Sequence, residues 1–138
     1  MTRQTVTTAL RWPTSLALLV AAAAHVPVIP EHLHDAPYMG ALFVAFTVVA
    51  GTLAIVIAVR GSAPAPFVVA GAVCAAAIVA YCLTRLIAFP QLGDDVGNWG
   101  ETEGVISIVS EALVVLLSLT GAAWLRRSGR QSRVTAAA

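Results

Sequence analysis

Long apolar runs separated by short polar stretches make up most of this chain. They extend over Trp12–Ile29, Gly40–Val59, Phe67–Phe89 and Gly104–Leu125, and are eighteen to twenty-three residues long. About 20 apolar residues in a helix, rising 1.5 Å each, cross a hydrocarbon core of about 30 Å. The pattern therefore predicts an all-α fold, a polytopic bundle of four transmembrane helices at about 12–29, 40–59, 67–89 and 104–125. Residues 126–138 follow as a basic cytoplasmic tail. The stretch 30–39 (PEHLHDAPYM) reads as a short loop, RGSAPAP as a tight connection, and 90–103 as an acidic, Gly-rich loop.

The first run has a competing reading. A basic start, the apolar SLALLV and four small alanines would also suit a secretory signal peptide within residues 1–24. Val26–Ile29 continue the run past any cleavage point and Trp12 fits an interfacial anchor, so a retained helix is expected.

Composition narrows the function classes. Of 138 residues, 59% are hydrophobic and 11% charged, with mean hydropathy +0.86. Soluble domains carry about 25% charged residues, so this chain could not cover a water-facing surface, and its first partner is the lipid bilayer. A homo-oligomer or a membrane partner protein is compatible with that. The spacings GxGxxG, GxxxxGK[ST] and GxSxG of nucleotide enzymes and hydrolases are absent, which gives no reason to read an enzyme. Cys74 and Cys82, about 12 Å apart along one helix, cannot bridge. Nucleic-acid binding is not indicated, since the arginines of RRSGRQSR follow an apolar run and suit anionic lipid headgroups.

Charge sets the expected topology. The chain has eight arginines and no lysine. With both termini inside, Arg3, Arg11, Arg60, Arg126, Arg127, Arg130 and Arg133 share one side, while Glu31, Asp35, Asp94, Asp95, Glu101 and Glu103 share the other. That is the positive-inside pattern of a multi-pass protein in a bacterial cytoplasmic membrane. The Lys-free, Ala-, Val- and Arg-rich usage fits coding from a GC-rich genome.

Two charges break the apolar runs: Arg85 in the third and Glu111 in the fourth. Either costs about 2.5–3.5 kcal/mol at a membrane helix centre on insertion scales, so each needs a partner or a task. Helical spacing aligns Tyr81 with Arg85 and Ser107 with Glu111, and places His25 at comparable depth in the first run. The expected cluster is therefore His25, Tyr81, Arg85, Ser107 and Glu111, in the outer half of the bundle. One reading makes it structural, with Arg85 and Glu111 paired to fix which helix faces touch. Another has Arg85 reaching the headgroups and Glu111 protonated against Ser107. A third makes Glu111 the carboxylate of a proton- or ion-coupled transporter of a small solute, exchanging protons for substrate.

A metal reading stands beside these. Glu31, His32, His34 and Asp35, with Asp94 and Asp95 of the second acidic loop, offer imidazole and carboxylate ligands on one side of the membrane. Such a set would take Zn or Cu in an extracytoplasmic site, or Ca or Mg through carboxylates alone. His32 and His34 reach one ion together only from an extended backbone, and neither CxxC nor HExxH accompanies them. Otherwise no cofactor is predicted, because haem would need two axial ligands and only His25 lies within an apolar run.

The run R-x-x-x-x-P from Arg85, then D-D-x-G-x-W-x-E from Asp94, then S-x-x-x-E from Ser107, resembles small four-helix membrane proteins of GC-rich bacteria to which no activity is assigned. The resemblance covers about a quarter of the chain and implies architecture alone. The expected role is an accessory or ligand-binding bundle with an outward polar cluster, with transport and metal binding as alternatives.

Overall fold

The structure, a computed structural model, describes residues 3–60 and 63–135, with side chains for 9–60, 63–124, 126 and 127. Along it lie α1 (Arg3–His25), α2 (Ile29–Asp35), α3 (Pro37–Arg60), α4 (Pro64–Leu86) and α5 (Thr102–Thr135). A 3₁₀ turn at Gly93–Asp95 completes the elements, and no strand occurs among the described residues. Four spans are long and apolar enough to cross a membrane: Ala9–Asp35, Pro37–Arg60, Pro64–Leu86 and Thr102–Trp124. The all-α, four-helix architecture expected from the hydrophobic pattern is the one that forms.

Local chemistry moves the boundaries. Residues 30–35 and 37–39 are helical rather than a loop, with Ala36 alone between the two helices. Pro30 sits in the first turn of α2, where a missing N–H costs nothing. The turn is closed by His32 N–H donating to Val28 O at 3.1 Å and Ala36 N–H donating to His32 O at 2.9 Å. Pro37 and Pro64 likewise open α3 and α4 three residues before the expected starts. The first helix stops at His25, where Val28 N–H donates to His25 O across a turn. The last runs past Trp124 to Thr135, so the expected tail begins as helix, while side chains from Ser128 onward lie outside the described residues. Gly61 and Ser62 of the connection after α3, and residues 136–138, also lie outside them.

Within the bundle α1 packs on α3 and α5, and α4 packs on α5. Small residues allow this closeness: Ala17, Ala22, Ala50, Ala54 and Ala70 are buried around Leu18, Ile57, Phe67, Cys74 and Val114. Ser15 Oγ donates to Ala54 O at 2.9 Å, joining α1 to α3. Large apolar side chains such as Leu16, Leu19, Val48, Ile55 and Leu116 point outward, an exterior suited to lipid rather than water.

One end gathers the acids. There α2 folds back on α3 so closely that a Cβ at Gly40 would lie 2.6 Å from Leu33 N. Tyr38 Oη donates to Pro90 O at 2.7 Å, tying the start of α3 to the chain leaving α4. Ala36, Met39 and Leu92 form a small apolar cluster beneath, packed by Phe43 and Phe89. Although consecutive in sequence, α3 and α4 hardly touch, and the seam between them opens into a cavity.

A candidate ligand cavity between α3 and α4

The cavity exists because α4 turns small side chains toward α3. Ala76, Ala77 and Ala80, with Val73, recur at helical spacing on its wall. The facing wall of α3 carries Leu42, Phe43, Phe46 and Val49. The space is about 450 Å³, within the range of small-molecule sites. Its floor is polar, built by His25 from α1 and by Ser107 and Glu111 from α5. Its rim at the acidic end holds Tyr81, Arg85, Asp95, Glu101 and Glu103.

Glu111 is 1% exposed. Ser107, one helical turn earlier, donates its hydroxyl to Oε1 at 2.7 Å. His25 approaches the same oxygen from α1, with Nε2 at 4.0 Å. The orientation of that ring is fixed from behind. Its Nδ1 lies 2.9 Å from Ala21 O, and a carbonyl can only accept, so Nδ1 carries the proton. Nε2, the nitrogen nearer Glu111, is then an acceptor when the ring is neutral and a second donor when it is protonated. Phe46 at 4.5 Å and Phe43 at 5.1 Å, between ring centroids, hold the imidazole in place.

Arg85 is also buried, at 5% exposed, and its partners come from the loop rather than from Glu111. Nη1 lies 2.7 Å from Asp95 Oδ1 and donates to Asp95 O at 3.3 Å. Nη2 donates to Glu101 Oε2 at 2.7 Å. Its guanidinium stacks on Tyr81 at 4.6 Å, and Tyr81 meets Trp99 edge to face. The Arg85–Glu111 pair, one of the readings of the cluster, does not form: Arg85 clamps the loop and Glu111 sits against Ser107. The reason is reach: Gly97, at φ 79, turns the chain back so that its N–H donates to Arg85 O at 2.9 Å. That return delivers Asp95 and Glu101 to the guanidinium. The start of α5 is seated closely as well, for a Cβ at Gly104 would lie 2.7 Å from the Tyr81 ring.

His25, Tyr81, Arg85, Ser107 and Glu111 therefore line one cavity, split into a floor around Glu111 and a rim around Arg85. The expected metal ligands are not brought together. Among the described residues, no three His, Cys, Asp or Glu side chains form a metal-holding group. The helical backbone of α2 is the cause, because residues two apart on a helix face away from each other. His32 turns inward, with Nδ1 donating to Val28 O at 2.9 Å and its ring against Phe43. His34 stands 90% exposed beside Asp35, at 3.9 Å. Glu31 lies on the same short helix, Asp94 stays in the 3₁₀ turn, and Asp95 is committed to Arg85.

Sequence reasoning missed Glu101, Phe43, Phe46 and Thr84 as cavity residues. For Glu101 a signal existed: it lies sixteen residues from Arg85, nearer than Glu111, in a loop with glycines that let it return. No protein family matches the chain, and neither does any curated protein or solved structure compared with it.

Proposed function

We propose that this chain is a ligand-binding membrane protein that holds a small amphipathic molecule in the cavity between α3 and α4. One observation carries the reading: a space of about 450 Å³ with apolar walls ends on a carboxyl group that is 1% exposed. A buried charge in a membrane helix is costly and marks a functional site by default. On this reading the seam faces lipid, and an apolar molecule enters from the bilayer and leads with its polar group toward Glu111.

Binding fits better than conduction. Beyond the floor the bundle is closed by Leu18, Ile57, Phe67 and Val114, all fully buried. We further propose that the acidic end faces outward, with both termini inside a bacterial cytoplasmic membrane. Arg11, Arg60, Arg126 and Arg127 lie toward the opposite end, as the positive-inside pattern requires.

Native mass spectrometry of protein released from its own membranes tests the binding reading. A bound small molecule should persist through gentle activation, and Ala77→Phe, which fills the α4 wall, should remove it. Identical spectra for the two proteins would contradict the proposal.

A further inference from the structure

We propose that the ligand is a single-chain amine, a primary ammonium on an apolar chain, whose N–H groups bridge His25 Nε2 and Glu111. The inference rests on the ligand-binding reading and adds the chemistry of the head group.

Two acceptors face each other at the cavity floor. In the neutral ring, Nδ1 donating to Ala21 O leaves Nε2 a lone pair, 4.0 Å from Glu111 Oε1. With Glu111 ionised, its carboxylate and that lone pair repel unless something with protons lies between them. A nitrogen about 2.9 Å from each atom would see them about 90° apart, within reach of two N–H bonds of one ammonium. Ser107 is the one hydrogen-bond donor to Glu111 among the described residues, and a neutral hydroxyl leaves the charge uncompensated.

The charge of the whole cavity has the same sign. Its lining includes Asp95, Glu101, Glu103 and Glu111 against Arg85 alone, and both terminal nitrogens of Arg85 are already taken by Asp95 and Glu101. An anionic ligand that displaced neither carboxylate would find only Arg85 Nε, which is buried and without a hydrogen-bond partner. A cation meets an excess of acid and, beside it, the rings of Phe43 and Phe46. The walls of Leu42, Val49, Val73 and Ala77 supply the surface for a hydrocarbon chain.

A single chain fits better than a two-chain phospholipid. A space of about 450 Å³ is drug-sized, and a phosphate beside the ammonium would fall among the acids of the rim.

The test uses the full chain in phosphatidylcholine nanodiscs with three probes: dodecylamine, dodecanol and dodecanoate. Dodecylamine should bind at least tenfold more tightly than either of the others. In Glu111→Gln that preference should fall at least tenfold, to the level of dodecanol. The glutamine amide can itself donate to His25 Nε2, so this variant keeps the α1–α5 contact, and Ala77→Phe serves as the filled-cavity control. Equal affinity for amine and alcohol in the unaltered protein, a comparison that needs no variant, would overturn the amine inference and leave the cavity reading standing. Preferred binding of dodecanoate would place the head group at Arg85 and also overturn it. Displacement of dodecylamine by phosphatidylethanolamine in the disc would overturn the single-chain assignment. No binding of any probe, with Ala77→Phe identical to the unaltered protein, would overturn both.

Discussion

Arg85 Nη2 lies 2.7 Å from Glu101 Oε2, across a loop that leaves α4 and returns to start α5. This contact, repeated by Asp95 on the other terminal nitrogen, makes the arginine a clasp for the acidic end rather than a counter-charge for Glu111. Both carboxylates are partly exposed, at 23% and 33%, so they can return to water when the arginine is removed. Charge-assisted hydrogen bonds of this kind contribute about 1.5–3 kcal/mol each. A thermal-stability cycle over Arg85→Leu and Glu101→Gln should give a coupling energy of about 1 kcal/mol or more. The matching cycle of Arg85→Leu with Glu111→Gln should give less. The reverse order would restore the direct Arg85–Glu111 pair.

Gly40 is expected to tolerate no side chain. Its missing Cβ is replaced by the backbone of Leu33, whose N would be 2.6 Å away, and a backbone atom cannot swing aside. Overpacking of this kind costs about 1–3 kcal/mol, so Gly40→Ala should lower the unfolding temperature measurably. The same substitution at Gly51, where nothing lies within 4 Å, should leave it unchanged or raise it. Equal effects at the two glycines would contradict the close seating of α2 on α3.

The two histidines of α2 should behave differently from each other and neither as a metal ligand. His32 packs on Phe43 and caps Val28 O, so His32→Ala should cost stability. His34 is exposed, and His34→Ala should cost nothing. Zinc titration of the double variant should match that of the unaltered chain. A stoichiometric zinc ion lost on double substitution would show that α2 unwinds to build the site.

Orientation can be read by thiol labelling after Cys74 and Cys82 are replaced. A cysteine at Asn98 should react with an impermeant reagent in intact cells, and one at Ser128 only after lysis. Labelling at Ser128 with protection at Asn98 would invert the proposed topology.

How much of this was legible beforehand follows from where the forces are local. The apolar runs alone gave the four spans, because about 20 uncharged residues leave a chain few other options. Helical spacing also placed Tyr81 with Arg85 and Ser107 with Glu111, since neighbours on one helix face need no tertiary information. Two things were not legible. The partner of Arg85 depended on a loop turning back at Gly97, and a match in depth with Glu111 could not decide among the readings of the cluster. The cavity depended on which consecutive helices fail to pack. The alanines of α4 look like an ordinary close-packing face, and their role as a wall emerges only because α1 and α5 keep α3 away.

The central claim is that the space between α3 and α4 admits a molecule from the bilayer, and photolabelling measures this most directly. An aryl-diazirine hydrocarbon probe, dissolved in nanodisc lipid and activated by light, should label peptides containing Phe43, Phe46 and Ala80 in saturable fashion, competed by unlabelled dodecylamine. Labelling of lipid-facing positions such as Leu16, Ile55 and Leu116 should be weaker and should not saturate. In Ala77→Phe the saturable component should disappear while the rest remains. Labelling spread evenly over all exposed apolar positions, unchanged by Ala77→Phe, would contradict the account.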